Sequence, residues 1–172
     1  MCFIVFLGAL YSGYDETNDR EFKKSKRKRR KISYSEHVIK FITEVMGEKI
    51  DPFYKLNGDK LYKMYRHGLV HLYQPKSFLQ PNGKELKWFA YKGSREQYAE
   101  VVNGVSFSNV RHVGIILHPE KKNIEYLAVS INCLYYDLIQ VIDIYVSMLE
   151  QDKTLQTNFI STTNAICELE VI

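Results

Sequence analysis

The chain has 172 residues, a formal net charge of +4 and 45 % hydrophobic residues, one domain's worth of sequence with enough apolar content to bury a core. Three cysteines, Cys2, Cys133 and Cys167, stand far apart in apolar surroundings with no CxxC pairing. That argues against a disulfide framework or a thiolate zinc site, and it fits a reducing, cytoplasmic compartment.

The first segment, MCFIVFLGALYSG, is apolar for about ten residues, lacks a basic n-region and a cleavage site, and is too short to span a bilayer. It reads as a buried helix and predicts no membrane association. Its abrupt apolar start is what a longer first helix begun partway would look like. Next comes REFKKSKRKRRK, which holds nine of the 24 basic residues and leaves the rest of the chain slightly acidic. Such a run repels itself and predicts a solvated basic loop at about 17–32. Lys23, Lys24, Lys26, Arg27, Lys28, Arg29, Arg30 and Lys31 are the candidates there for attracting phosphate backbones without reading sequence.

Residues 33–49 predict a helix. Ser33 and Glu36 have capping-box spacing, with Ser35 as the alternative cap. Val38, Ile39, Phe41, Ile42, Val45 and Met46 form its apolar stripe. After a loop containing Asp51 and Pro52, Asp59 or Asn57 is expected to cap a second helix, which Pro75 ends. The pattern then changes. LKWFAY at 86–91 reads as a strand, 94–109 as a short helix broken at Gly104, and 110–119 with 123–131 as a hairpin. Ser130 or Asn132 opens the strongest helix, 133–152, whose nearly all-round apolar character predicts a central position. Part of the remaining 153–172 reads as a weaker packed helix. The expected fold class is α+β, mainly α: a single domain over 1–172, built as a helical bundle with a β-rich insertion at about 84–131. That insertion would hold a small antiparallel sheet of about three strands within 86–131.

Gly-rich phosphate loops, GxSxG, HExxH and tellingly spaced carboxylates are all absent, so no cofactor and no metal is expected. His37 falls on the polar side of its helix, and His112 and His118 read as structural or surface residues. The stretch YKMYRHGLVHLYQPK concentrates Arg66, His67 and His71. His67 and His71 have the i, i+4 spacing that can chelate a metal, but no third ligand accompanies them. Arg66 and His71 make a simpler kit. The arginine holds a phosphate through two hydrogen bonds, and the histidine transfers a proton near neutral pH. Together they could serve metal-independent RNA cleavage. A two-fold dimer would bring two such pairs together.

RHGLVH at 66–71 resembles the Rx4–6H motif of the HEPN superfamily, small helical bundles common in prokaryotic defence and toxin–antitoxin systems. The resemblance covers about 60–76. It implies an RNA-binding protein and candidate endoribonuclease, with Arg66 and His71 catalytic and His67 assisting. It also implies a homodimer with a composite site, and an RNA or protein antitoxin as partner. The alternative from a different class is a non-catalytic structural or protein-interaction module, of a mobile element or a bacterial family. Arg66 and His71 would then be a satisfied polar cluster, bonded for example to Asp137 or Asp143.

Overall fold

The computed structural model describes residues 2–13, 34–72 and 75–168, without the side chains of residues 2, 34, 66–72 and 166–168. The described residues form five helices and six strands. Helix α1 is Cys2–Ser12. Helix α2 comprises Tyr34–Lys40, a π-helical segment Phe41–Met46 and a last turn Gly47–Lys49. Helix α3 is Pro52–Leu72. The strands are β1 Phe78–Leu79, β2 Glu85–Tyr91, β3 Glu96–Val102, β4 Val105–Arg111, β5 Gly114–Leu117 and β6 Ile124–Ser130. Helices α4, Ile131–Gln151, and α5, Lys153–Glu168, complete the order.

The strands form two sheets, β1-β2-β6-β5 and the hairpin β3-β4. This overturns the expected helical bundle with a small three-stranded antiparallel sheet: the fold is mixed α/β. β2 and β6, the central pair, run parallel, with Trp88 opposite Leu127 and Phe89 opposite Ala128. Only β1–β2, β5–β6 and β3–β4 are antiparallel. The four-stranded sheet is buried on both faces because its strands alternate two apolar sets. Leu86, Trp88, Leu127 and Val129 join a core with the helices. Phe89, Tyr91, Ala128 and Tyr126 meet Phe107 and Val110 of the hairpin. Three layers result: helices, sheet, hairpin.

The helix expected within 94–109 is instead β3, a tight turn and β4. Asn103 and Gly104 both have positive φ, 51° and 78°. Asn-Gly is the pair that a two-residue hairpin loop demands, because both central residues must enter the left-handed region. Val102 lies opposite Val105 across that loop. Glu96, Gln97, Ala99 and Glu100 favour helix as residues, and the turn with the β-branched residues around it overrides them.

In the helical layer, the π segment turns Phe41, Ile42, Val45 and Met46 all into the core. Chain crossings are close where glycines sit: a Cβ on Gly8 of α1 would lie 2.9 Å from the Val38 Cα of α2. α1 is covered from the far end of the chain. Asn158 Nδ2 donates to Tyr11 O at 3.0 Å, and Thr162 Oγ1 to Ala9 O at 3.3 Å. No helix among the described residues is long and apolar enough to cross a membrane.

Candidate functional site

The densest constellation of chemically capable side chains lies where the hairpin meets the helices. Its first member is Asp51. α3 starts six or more residues earlier than the caps at Asn57 or Asp59 would have it. Asp51 Oδ1 accepts from Phe53 N–H at 2.9 Å, and Pro52 takes the first helical position, where a missing N–H costs nothing. The other carboxylate oxygen, Oδ2, is thereby aimed outward. It accepts from Arg95 Nη1 at 2.9 Å and Arg111 Nη2 at 3.4 Å. Within the first turn of α3, the fully buried Tyr54 donates through its hydroxyl to Asp137 Oδ2 of α4 at 2.8 Å.

His112 closes the cluster. Its Nδ1 accepts from Ser130 N–H at 3.0 Å, so the ring hydrogen belongs on Nε2. Nε2 lies 2.9 Å from the Tyr54 hydroxyl oxygen and 3.4 Å from Asp137 Oδ2. The bonds therefore run in one direction, from the Ser130 amide through His112 and Tyr54 to Asp137. Ser130, rather than Asn132, caps α4, its Oγ accepting from Cys133 N–H at 3.2 Å. The turn that delivers His112 is strained. Val113, β-branched and buried, has φ of 55°, a conformation that costs about 1–3 kcal/mol. It is held from both sides, by Asn57 Nδ2 on its carbonyl at 2.8 Å and by its own N–H on Ala128 O at 2.8 Å.

Arg95, just before β3, also donates to Asp137. Arg111, at the end of β4, pairs with Glu96 and lies 4.2 Å from the centre of the Phe53 ring. Burial alone would push the Asp137 carboxyl up; hydrogen bonds from His112, Arg95 and Tyr54 outweigh it and hold the group below its usual range. Burial, then the neighbouring Asp137 charge, pushes the Tyr54 phenol well up. Burial would pull Arg95 down, but its bonds to Asp137 and Asp51 raise it instead.

Chemically, the cluster is a closed circuit. Two guanidinium groups face the carboxylates of Asp51, Asp137 and Glu96, so the balance is negative and repels a phosphate. Tyr54, His112 and Asp137 are at most 1 % exposed, which leaves no approach for a substrate. The adjoining surface depression, about 330 Å³ and lined by residues including Glu96, Tyr98, Asn109 and Arg111, reaches only the outer rim. The arrangement fastens the hairpin to α3 and α4. Among the described residues, no three His, Cys, Asp or Glu side chains converge as metal ligands would.

The residues singled out from sequence fall elsewhere. Arg66, His67 and His71 sit in the last two turns of α3, which is helical through Leu72; their side chains lie outside the described part. Lys23, Lys24, Lys26, Arg27, Lys28, Arg29, Arg30 and Lys31 lie outside the described residues altogether. Asp137, offered with Asp143 and backbone carbonyls as a partner for Arg66 or His71 in the non-catalytic alternative, is bonded to Tyr54 and Arg95 and lies beside His112. His37 is buried rather than exposed, and burial lowers its pKa. His118 has a structural role, its Nδ1 accepting from the Glu120 and Lys121 amides at 3.1 Å each. Asp51, Tyr54, Arg95 and Arg111 were missed as site residues. Asp-Pro as a helix start was the one readable signal among them.

A second feature lies on α4. Instead of being central all round, this helix buries one side, with Asp137, Val141 and Tyr145 innermost, and turns much of its apolar surface outward. Ile131, Tyr135, Tyr136, Ile139, Ile142 and Val146 are all exposed, from 38 % at Ile142 to 67 % at Tyr136. Tyr135, Ile139, Ile142 and Val146 are spaced by four, three and four residues, the interval of a helix–helix seam. No family model, no curated protein and no solved structure matches the chain.

Proposed function

We propose that the chain is a non-catalytic protein-interaction module whose docking surface is the exposed face of α4. The observation that carries this reading is the run Tyr135, Ile139, Ile142, Val146 along one side of a 21-residue helix. With Ile131 and Tyr136 it presents roughly 600 Å² of apolar surface, at the upper end of what a monomer leaves in one patch. The polar cluster supports the reading from the other direction. Every charged member has its partner inside the fold, so it braces α4 rather than performing chemistry. The test is capture by the tagged full chain from a lysate of its source, compared with the double variant Ile139→Glu, Ile142→Glu. Partners retained by the wild type and lost by the variant are expected. The same partners on both would overturn the reading.

A second reading has one observation in its favour: α3 stays helical to Leu72, so Arg66 and His71 share the last two turns of one helix. In this reading the chain binds RNA through the basic run at 23–31. It cleaves without metal, with Arg66 stabilising the phosphorane charge and His71 moving the proton. Purified protein should then cut RNA in EDTA, and Arg66→Ala and His71→Ala should each lower the rate at least a hundredfold. Wild-type inactivity on a range of RNAs, or equal rates in all three proteins, removes it.

A further inference from the structure

We infer that the α4 face is occupied by α4 of a second copy of this chain, packed antiparallel about a two-fold axis. The inference rests on the interaction reading above and names its partner. Three properties of the helix carry it.

The first is area. The patch supplies roughly three quarters of the 800 Å² or so that each partner contributes to a standard interface, and flanking side chains would add the remainder. The second is register. A two-fold axis passing between Gln140 and Val141 sets Ile139 of one copy against Ile142 of the other, and Tyr135 against Val146. Each apolar residue of the seam therefore meets an apolar residue, as an isologous interface requires. Ile139, Ile142 and Val146 are all β-branched, with the stiff side chains that suit a fixed seam.

The third property is charge. No Lys or Arg occurs anywhere in 131–151, while Asp143 and Glu150 lie exposed beside the seam. Asp137, the remaining acid, is buried and paired with Arg95. A parallel pair would turn the acidic flanks of the two helices to opposite sides of the seam, so that Asp143 would face the Leu138 flank of the second copy. The antiparallel pair brings the two flanks to the same side, offset along the axis. Asp143 falls beside Tyr136 of the second copy, whose hydroxyl can donate to it. Glu150 comes level with Ile131 of the second copy, at the helix start, where free amide groups carry partial positive charge. The antiparallel alignment thus gives the acidic edge donors from the second copy.

Sedimentation velocity of the full chain from about 1 to about 100 µM tests the inference. The expected result is a concentration-dependent shift from the 20.2 kDa monomer to twice that mass, with a Kd in the micromolar range. Ile139→Glu with Ile142→Glu should stay monomeric throughout, with an unchanged circular dichroism spectrum, since both positions are exposed. Tyr136→Lys and Tyr136→Glu fix the alignment, because both remove the ring. Beside Asp143 of the second copy, the Lys variant should dimerise at least tenfold more tightly than the Glu variant, and the gap should shrink in high salt. Monomer at every concentration, or a dimer that survives Ile139→Glu with Ile142→Glu, overturns the pairing of copies. Equal affinity of the Lys and Glu variants overturns the antiparallel register. If the wild type is monomeric yet loses captured partners in the double variant, the docking face stands and the second copy as its occupant does not.

Discussion

Asp137 is the residue on which the most depends. It accepts from Tyr54 and Arg95 and lies 3.4 Å from His112 Nε2 while 1 % exposed, and each of those neighbours belongs to a different part of the fold. Removing it leaves the buried Tyr54 phenol without its acceptor and Arg95 with Asp51 alone. Breaking a buried pair from one side costs about 3–5 kcal/mol. Asp137→Ala should therefore lower the melting temperature by about 10 °C or more. Asp137→Asn, which keeps the shape and one acceptor, should lose less. Equal melting of wild type and Asp137→Ala would mean that the cluster fastens nothing. At this scale the sequence was legible where a single residue carries its own geometry. Ser130, one of the two openers read for α4, is such a case. The partners of Asp137 were not legible, because Tyr54, Arg95 and His112 lie 83, 42 and 25 positions away, and nothing local encodes the pairing.

Among the elements, helix contacts depend on small residues as much as on large ones. Gly8 is the clearest example, since the obstacle in front of it is backbone and cannot rotate away. Alanine is the better helix former by about 1 kcal/mol, yet here overpacking should win. Gly8→Ala is expected to cost about 1–3 kcal/mol, read as a lower urea midpoint. A gain in stability would show that α1 can slide on α2. The strand boundaries show what local pattern can and cannot do. LKWFAY declared β2 almost to the residue, because aromatic alternation suits a sheet buried on both sides. Its pairing with β6 was missed: parallel neighbours separated by a hairpin leave no turn signal between them. The Asn103–Gly104 pair was a signal present and outvoted by the helix-favouring composition before it. For α4, apolar content suggested centrality when part of that content faces outward. Hydrophobicity says that a face will be covered without saying by which molecule.

For the whole molecule, buried ionisable groups define a pH window. The carboxyls of Asp137 and Glu125 are held below their ordinary values. For Glu125, burial opposes this, and hydrogen bonds from Lys84 and Gln80 outweigh it. The folded state therefore binds fewer protons than the unfolded one. The stabilisation is complete above the unfolded carboxylate range near pH 4 and is lost as pH falls through the lower folded values. Tyrosines act at the other end. Burial pushes Tyr145 up to about 12, and burial with the Glu44 hydrogen bond does the same for Tyr11. Their contribution is intact below about pH 10 and disappears above it. Urea midpoints should be flat near neutrality and fall on both sides, and Asp137→Asn should flatten the acid limb. An acid limb identical in that variant would assign the loss to other carboxylates.

The dependence of α1 on α5 reaches into how the chain is made. Tyr11 and Ala9 find Asn158 and Thr162 only after 147 and 153 further residues have been added to the chain. At ordinary rates of synthesis the apolar first helix waits about ten seconds or longer without its last neighbour. Throughout that interval the side of α1 that carries the Ala9 and Tyr11 carbonyls lacks its neighbour. That side of α1 is hidden only when α5 docks against it.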